Sequence, residues 1–391
     1  MSPSLLDPYR PTWAEIDLDA LAANLAAVRQ RVRAAPILAV VKADAYGHGA
    51  VEVARALEAE GVETFGVALP EEGIELRRAG IARPIVLLGG FTPEQAEPVL
   101  AHDLIPAIYR PDQVAALAGA ASRRGVRAKA HLKIDTGMGR LGLPAADVPA
   151  FAPLLEETRA IDLCGAFSHL AVADDPADPF TRLQIDLFLR ALEALRERSL
   201  RPAQVHLANS AAILDHPPAW LTLVRPGLVL YGYLPSDRMT PLAVRPVLSL
   251  RSRIIYLKSV SPGTSLGYGR TFVASRTTRV GSLALGYDDG VPRSVGNKGH
   301  VLVRGRKAPI IGRVSMDLTT VDLGEIPDVA LGEEAVVIGR SGQEALGADQ
   351  VAAWAGTITW EVLCGIGSRV PRLYRRAGRE KVASRFDATL A

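Results

Sequence analysis

Cysteine is nearly missing from this chain: 391 residues include two, Cys164 and Cys364, too few for a disulfide framework or a complete zinc site. Two free thiols and a reducing, cytoplasmic setting are the expectation. Long apolar runs are missing too. No uninterrupted hydrophobic stretch nears the roughly 18 residues that would mark a membrane-spanning helix, and residues 1–10 carry no basic patch leading into an apolar core of the secretory type. Charge of one sign is also lacking, since 45 Lys and Arg face 42 Asp and Glu and the basic residues are scattered. That argues against a nucleic-acid footprint and leaves room for a small anionic ligand. Among the cations lysine is scarce, with seven of the 45.

What is present is a large apolar fraction, 48% hydrophobic against 22% charged, which fits a soluble globular chain rather than a disordered one. At roughly 150 residues per domain the length predicts two or three domains, unless one is a large α/β barrel. From residue 36 onward short β-branched runs alternate with helical stretches, at 36–41, 63–68, 84–88, 104–108, 129–135, 163–168, 204–207 and 221–224. Eight such units close a parallel barrel. Stretches such as GAVEVARALEAEG from Gly49 and PDQVAALAGAASRRG from Pro111 suit its amphipathic outer ring. The seventh unit is the weakest, with only 210–214 reading as helix. After about residue 239 two prolines introduce VLSLRSRIIYLKSV, TTRVGSLALGY, HVLVRGRKAPIIGRVSM and EEAVVIG, separated by glycine-bearing turns and one helical segment at 348–355. The fold class is therefore α/β, a (β/α)8 TIM-type barrel over 12–240 followed by a C-terminal mainly-β domain over 241–391. The opening PTWAEIDL reads as a strand of that second domain, with 1–11 packed on it.

In a barrel of this kind the chemistry collects where strands end. Those ends carry Lys42, Lys133 with Asp135, His169, Asn209 with Ser210, and Arg225. Lys42 closes the apolar run Ile37-Leu38-Ala39-Val40-Val41. Desolvation there favours the neutral amine, which attacks carbonyls to form a Schiff base; the plainer alternative is that Lys42 snorkels or pairs with Asp44. His131, Lys133 and Asp135 alternate, so period two puts them on one face. An inward Lys133 needs a partner, which is Asp135, another strand-end carboxylate, or its own conversion to a carbamate that holds Arg140. Ser210 near a helix start and the turn Arg225-Pro226-Gly227-Leu228 resemble a phosphate cradle, the alternative being a plain helix cap and a plain turn. Two patterns fail as motifs. Gly137-Met138-Gly139-Arg140-Leu141-Gly142 fits G-x-G-x-x-G, but the next strand ends in His169 rather than an acidic residue. His131, His169 and His206 suggest a metal centre, but the first strand ends in a lysine, so no metal is expected.

Taken together, AVVKADAYGHG at Ala39, HLKIDTGMGRLG at His131, FSHLAVAD at Phe167, HLANSAA at His206, VRPGLVLYG at Val224, GYGRTF at Gly267, LGYDDG at Leu285 and GRVSMD at Gly312 resemble alanine racemases. The resemblance runs from PTWAEIDLDAL to EVLCGIGSRVPR. It implies a pyridoxal 5′-phosphate (PLP) isomerase that interconverts L- and D-alanine, supplies D-alanine for peptidoglycan, and works as a cytoplasmic homodimer with shared sites. It further implies that Lys42 holds PLP and is the base for one enantiomer, and that Tyr268, from the other subunit, is the base for the other. A free phenol is a poor base at neutral pH, so Tyr268 is helped through His169 and Arg225. Arg225 is expected opposite the pyridine nitrogen, Arg140 on the substrate carboxylate with Lys133 positioning it, and the backbone N–H of Met316 from the partner. Tyr46, Asn209, Ser210, Gly227 and Leu228 belong to the cofactor's surroundings, and Tyr287 and Asp317 to the entrance. One departure stands out: Ser368 occupies a position where some members have a tyrosine that touches phosphate and narrows the entrance. A wider entrance would admit serine, so a broader-specificity racemase is the alternative, as is a decarboxylase of the same architecture or a non-catalytic PLP carrier.

Overall fold

The computed structural model describes residues 6, 9–33, 35–385 and 387; most of the 1–11 segment, namely 1–5, 7 and 8, lies outside the described residues, as do 34, 386 and 388–391. The chain divides into two compact units, one of residues 22–45 and 50–244, the other of residues up to Leu21, Tyr46–Gly49 and everything from Arg245 onward.

The strands are numbered from the N-terminus, β1 being Thr12–Asp17. The first compact unit is a parallel barrel. Its strands β2 (Leu38–Val40), β3 (Thr64–Val67), β4 (Ile85–Leu87), β5 (Leu104–Ile108), β6 (Ala128–Asp135), β8 (Ile161–Phe167) and β9 (Gln204–His206) pair in that order, and a two-residue strand β7 (Leu143–Pro144) hangs on β6. Seven expected runs coincide with strands to within two residues at most. The eighth, 221–224, does not become a strand: it makes one bridge, Ile37 to Val224. Leu221 sits at φ 50° on one side of it and Pro226, which has no N–H, on the other, so a regular ladder cannot propagate. The run nevertheless closes the ring. Thr222 N donates to Val205 O at 3.1 Å, Leu38 N to Val224 O at 2.9 Å and Val40 N to Pro226 O at 3.0 Å. The fully buried Tyr231 donates its hydroxyl to Val40 O at 2.9 Å across the same seam.

Strands this short are viable because both faces are buried: every residue of β2, β3, β4 and β5 is buried. The outer helices start and stop where their sequences say. Helix Pro111–Arg124, for example, has proline in its first turn and ends on Gly125 at φ 64°. Among the described residues no helix is long and apolar enough to cross a membrane.

The second unit is built on a large mixed sheet. The long strand β10 (Leu248–Val260) is its spine, pairing antiparallel with β1, with Glu334–Ser341 and with Thr278–Leu283. β1 also runs parallel to Arg372–Arg376, with Ala14 opposite Arg372. The helical segment Ala348–Ala355 is present, and a second, Thr359–Cys364, follows it.

Candidate active site

β2 delivers Lys42. All three strand residues are buried, Val41 N donates to Gly66 O at 2.9 Å, and Lys42 opens the short helix α2 (Lys42–Gly47) half-exposed. That turn is left-handed: Ala43, Asp44, Ala45 and Tyr46 have φ between 52° and 55°, a conformation that costs L-residues roughly 1–2 kcal/mol each. Side chains of the barrel hold it. Glu72 Oε1 accepts from Ala43 N at 2.7 Å, and Asp44 Oδ1 accepts from Ala50 N at 2.7 Å. Glu72 also takes the amides of Ala68 at 2.7 Å and Leu69 at 3.1 Å, tying two loops of the mouth together. Sequence reading missed Glu72; its signal was a carboxylate in the first turn of a helix beginning with proline.

β6 carries His131 and Lys133 inward, both buried. Lys133 Nζ donates to Leu88 O at 2.8 Å and stands 5.4 Å from the Phe167 ring centre. It does not pair with Asp135, whose carboxylate takes the amides of Gly137 at 2.9 Å and Gly139 at 3.0 Å. Burial, then Arg140, Arg225 and Lys42, push the Lys133 amine down to about 8, so an appreciable fraction is neutral. The glycine-rich loop is thus a turn wrapped on Asp135. Gly142 is at φ 134°, where a Cβ would lie 2.7 Å from Asp135 N. Arg140 is exposed at the loop's end.

Arg225 is the buried cation of the mouth, 4% exposed. Its guanidinium donates to Ser168 O at 2.7 Å, His206 O at 2.7 Å, Leu207 O at 3.0 Å, His206 Nδ1 at 3.0 Å and His169 Nδ1 at 3.5 Å. No carboxylate pairs with it among the described residues. Burial pushes its pKa down to about 9, which leaves it a cation at neutral pH. His169 is pushed down to about 3 by burial and then by Arg225, Arg140, Lys42 and Lys133, so it is a neutral imidazole. Lys42, Lys133, Arg140, His169 and Arg225 therefore share one electropositive mouth.

Asn209, not Ser210, caps helix Ser210–Asp215, accepting from Ala212 N at 3.0 Å. Ser210 Oγ accepts instead from Gly227 N at 2.9 Å and Val229 N at 3.4 Å. With two amides pointing at its lone pairs, the hydroxyl proton is left to donate elsewhere.

Leu228 is buried in the barrel unit, and the remaining expected residues lie in the second unit. Tyr46 is buried, and burial raises its pKa. Tyr268 is 70% exposed, Met316 51% and Tyr287 41%. Tyr268 lies between Gly267 and Gly269, both near φ 70°. The Met316 turn is clamped from one side by Tyr287 N to Ser315 O at 2.9 Å and Asp288 N to Met316 O at 3.2 Å. From the other side Arg369 donates to Asp317 Oδ1 at 2.7 Å and to Asp289 Oδ1 at 2.7 Å. Asp289 is wholly buried, and Arg10 Nη1 meets it at 2.7 Å. Ser368 is exposed and accepts from Arg385 at 3.4 Å. Sequence reading did not find the Arg10–Asp289–Arg369 cluster, because its members are 279 and 80 positions apart.

With this arrangement in view, comparison with known proteins is decisive. Residues 16–235 match the model for "Alanine racemase, N-terminal domain" and residues 247–374 the one for "Alanine racemase, C-terminal domain". The chain belongs to the alanine racemase family. The alanine racemase of Halothermothrix orenii is 44% identical over 368 residues, covering 94% of this chain and 97% of the relative. The solved alanine racemase of Clostridium difficile 630 superposes with a TM-score of 0.91 at 36% identity, covering 96% of this chain and 98% of that one. That of Bacillus anthracis, solved with bound L-Ala-P, gives 0.91 at 34% identity, covering 97% and 99%. Membership makes the chain an isomerase of the racemase class.

Among the described residues no group of three His, Cys, Asp or Glu side chains is placed to hold a metal ion. His131 and His206 instead bond to each other.

Proposed function

We propose that the chain interconverts L- and D-alanine with PLP as its cofactor, using Lys42 on one face of the substrate's Cα and Tyr268 of the partner subunit on the other. The observation that carries this reading is Arg225, a buried guanidinium satisfied, among the described residues, by carbonyl oxygens and imidazole nitrogens. Such a group suits the uncharged nitrogen of an aromatic ring. The surrounding residues fit the cofactor as well, since the Ser210 hydroxyl, held by the Gly227 amide, retains a proton to donate to a phosphate beside the amide of Leu228, with the Tyr46 hydroxyl as a further contact. His169 and Asn209 would join the residues that hold the cofactor.

When bound, PLP supplies an electron sink that acidifies the Cα–H bond. Lys42 Nζ holds the cofactor and then takes or returns the Cα proton on its side. A guanidinium that stays charged at neutral pH keeps its protons rather than handing one to the ring nitrogen. Arg225 thereby limits electron withdrawal and disfavours transamination. Racemisation requires that a proton leave one face and arrive at the other, which is the task of Tyr268 Oη of the partner subunit, supported through His169 and Arg225.

Arg140 grips the substrate carboxylate, joined by the backbone N–H of Met316 of the partner subunit, while Tyr287 and Asp317 shape the entrance. Lys133 positions Arg140. The depressed pKa of its amine suits addition of carbon dioxide, and the resulting carbamate would neutralise a mouth otherwise crowded with cations. Tyr268, Tyr287 and Met316, exposed in a single chain, support assembly as a homodimer. D-Alanine for peptidoglycan, made in the cytoplasm, is the role that follows.

The test is incubation with PLP and L-alanine in D2O, following optical rotation and loss of the Cα proton signal. Both should change together. Tyr268→Phe should stop racemisation while PLP stays bound, and Lys42→Ala should lose both. Racemisation by Tyr268→Phe at the wild-type rate removes that phenol from the mechanism, and no racemisation by the unmodified protein removes the reading.

A further inference from the structure

Behind Arg225, on the side away from the mouth, two more histidines continue the hydrogen-bond chain into the barrel. His206 Nε2 and His131 Nδ1 are 2.8 Å apart, and both side chains are wholly buried. Arginine only donates, so the His206 Nδ1 that meets Arg225 Nη1 at 3.0 Å is a lone pair. Neutral His206 then carries its proton on Nε2 and gives it to His131 Nδ1, which must likewise be a lone pair. His131 in turn carries its proton on Nε2. That atom is buried, with no hydrogen-bond partner within reach among the described residues, and the same holds for Gln204 Oε1. Gln204, the first residue of β9, is the neighbouring side chain that acts on His131, its Oε1 standing close by but outside hydrogen-bond geometry. A donor and an acceptor, both otherwise unmatched, stand at the foot of the barrel where the chain ends.

The strand beside His131 is shaped to receive its ring. Gly165 on β8 lies where any Cβ would come within 2.4 Å of His131 Cδ2 and Nε2, and the pairing of β6 with β8 slips between Ala130 and His131. Phe167 completes the enclosure, stacked on His206 at 4.8 Å and 6°.

We propose that His131 and Gln204 are positioning residues that lock His206 in its neutral Nε2–H form, so that His206 presents an acceptor to Arg225 and fixes the guanidinium without neutralising it. A carboxylate at the His206 position would hold Arg225 as firmly but would cancel its charge. An imidazole free to choose its tautomer would spend part of its time aiming a donor at a donor. The device is a directed series of hydrogen bonds, Arg225 to His206 to His131, running from mouth to foot, with Gln204 Oε1 as the acceptor set beside its last proton. Burial, followed by Arg225, keeps His206 far below its ordinary pKa, and burial holds His131 down to about 3. Of the neighbouring cations, Arg225 faces the pair directly, while Lys42, Lys133 and Arg140 cluster at the mouth around His169.

The catalytic consequence rests on the proposed role of Arg225, but the tautomers can be read without any turnover. In 15N-histidine-labelled enzyme, His131 and His206 should give neutral Nε2–H signals that do not titrate between about pH 5.5 and 9; an Nδ1–H form of His206, or titration of either ring, overturns the proposal. His131→Leu removes the acceptor and should lower kcat about tenfold with KM held within about twofold, while the His206 signal changes form. His131→Asn places Oδ1 where Nδ1 was and should restore both the His206 signal and most of kcat, which a role in packing alone would not predict. Wild-type kcat and an unchanged His206 signal in His131→Leu overturn it equally, and if that variant does not fold, the spectrum of the unmodified enzyme still decides. Were the tautomers as described while the unmodified enzyme failed to racemise alanine, the reading of the activity would fall and the relay would stand.

Discussion

Two buried charges, one in each unit, are satisfied in opposite ways. Asp289 in the β-rich unit is met by two guanidiniums, Arg10 and Arg369, and by Gly286 N at 2.8 Å. Among the described residues Arg225 in the barrel meets no counter-ion, only carbonyl oxygens and two imidazole nitrogens. A charge compensated on the spot fixes structure: Asp289 joins Arg10 near the N-terminus to Arg369 near the C-terminus and steadies the turn that carries Met316. A charge held by neutral acceptors keeps its field for a ligand. Carbonyl oxygens alone do not make the distinction, because the buried Arg372 also donates to Val370 O at 2.6 Å and Gly367 O at 2.7 Å. The imidazoles in the Arg225 set do, together with the lysines around it.

The contrast can be broken most forcefully at Arg225. Arg225→Ala should lower kcat by about a thousandfold, with the fold intact by circular dichroism; Arg225→Lys keeps the charge, loses the fork and should recover little of that. A mild effect on racemisation would show that the uncompensated charge is not used. Asp289→Ala should act on stability, costing about 3 kcal/mol because two guanidiniums are left without their partner. A urea midpoint close to wild type would mean that the two arginines find other acceptors at little cost.

The pH dependence should follow the barrel's histidines. Burial holds His131 and His169 down to about 3 and His206 well below its ordinary value, whereas the unfolded chain binds the same protons near pH 6.5. Between those limits the unfolded state carries more protons, so stability is lost as pH falls below about 6.5, by about 1.4 kcal/mol per pH unit for each imidazole. Urea midpoints that stay level from about pH 7.5 to 5 would contradict the buried, neutral assignment. The smallest effect belongs to a pair with neither kind of burial. Arg110 and Asp112 approach to 2.5 Å on the barrel's surface, about half-exposed, and Asp112→Ala should leave the melting temperature unmoved. A marked fall would upset the view that burial, not proximity, decides the weight of these charges.

The barrel was legible because its signals are local: seven of the eight apolar runs, four to seven residues long, become strands, and the polar residue at or near the end of each reaches the mouth. Lys42, Lys133, His169 and Arg225 come together for that reason. The partner of Lys133 was not legible, since Leu88 O is a backbone atom 45 positions away that no composition marks. Nor was the handedness of α2, whose sequence KADAYG contains ordinary helix formers up to its final glycine. The relay was half visible: period two puts His131 and Lys133 on one face, but the His131–His206 bond joins residues 75 apart and needs the space left by Gly165. The Asp289 cluster was invisible for the same reason on a larger scale.

The left-handed turn after Lys42 reverses a familiar rule of protein engineering. Replacing alanine with glycine in a helix ordinarily weakens it, yet at Ala43 and Ala45, with φ of 52° and 53°, losing the Cβ relieves a clash with the backbone. Such an exchange should raise the melting temperature while loosening the leash on the amine that precedes it, so a hardier protein would be a slower racemase. Stiffness at this corner has been retained at the expense of comfort.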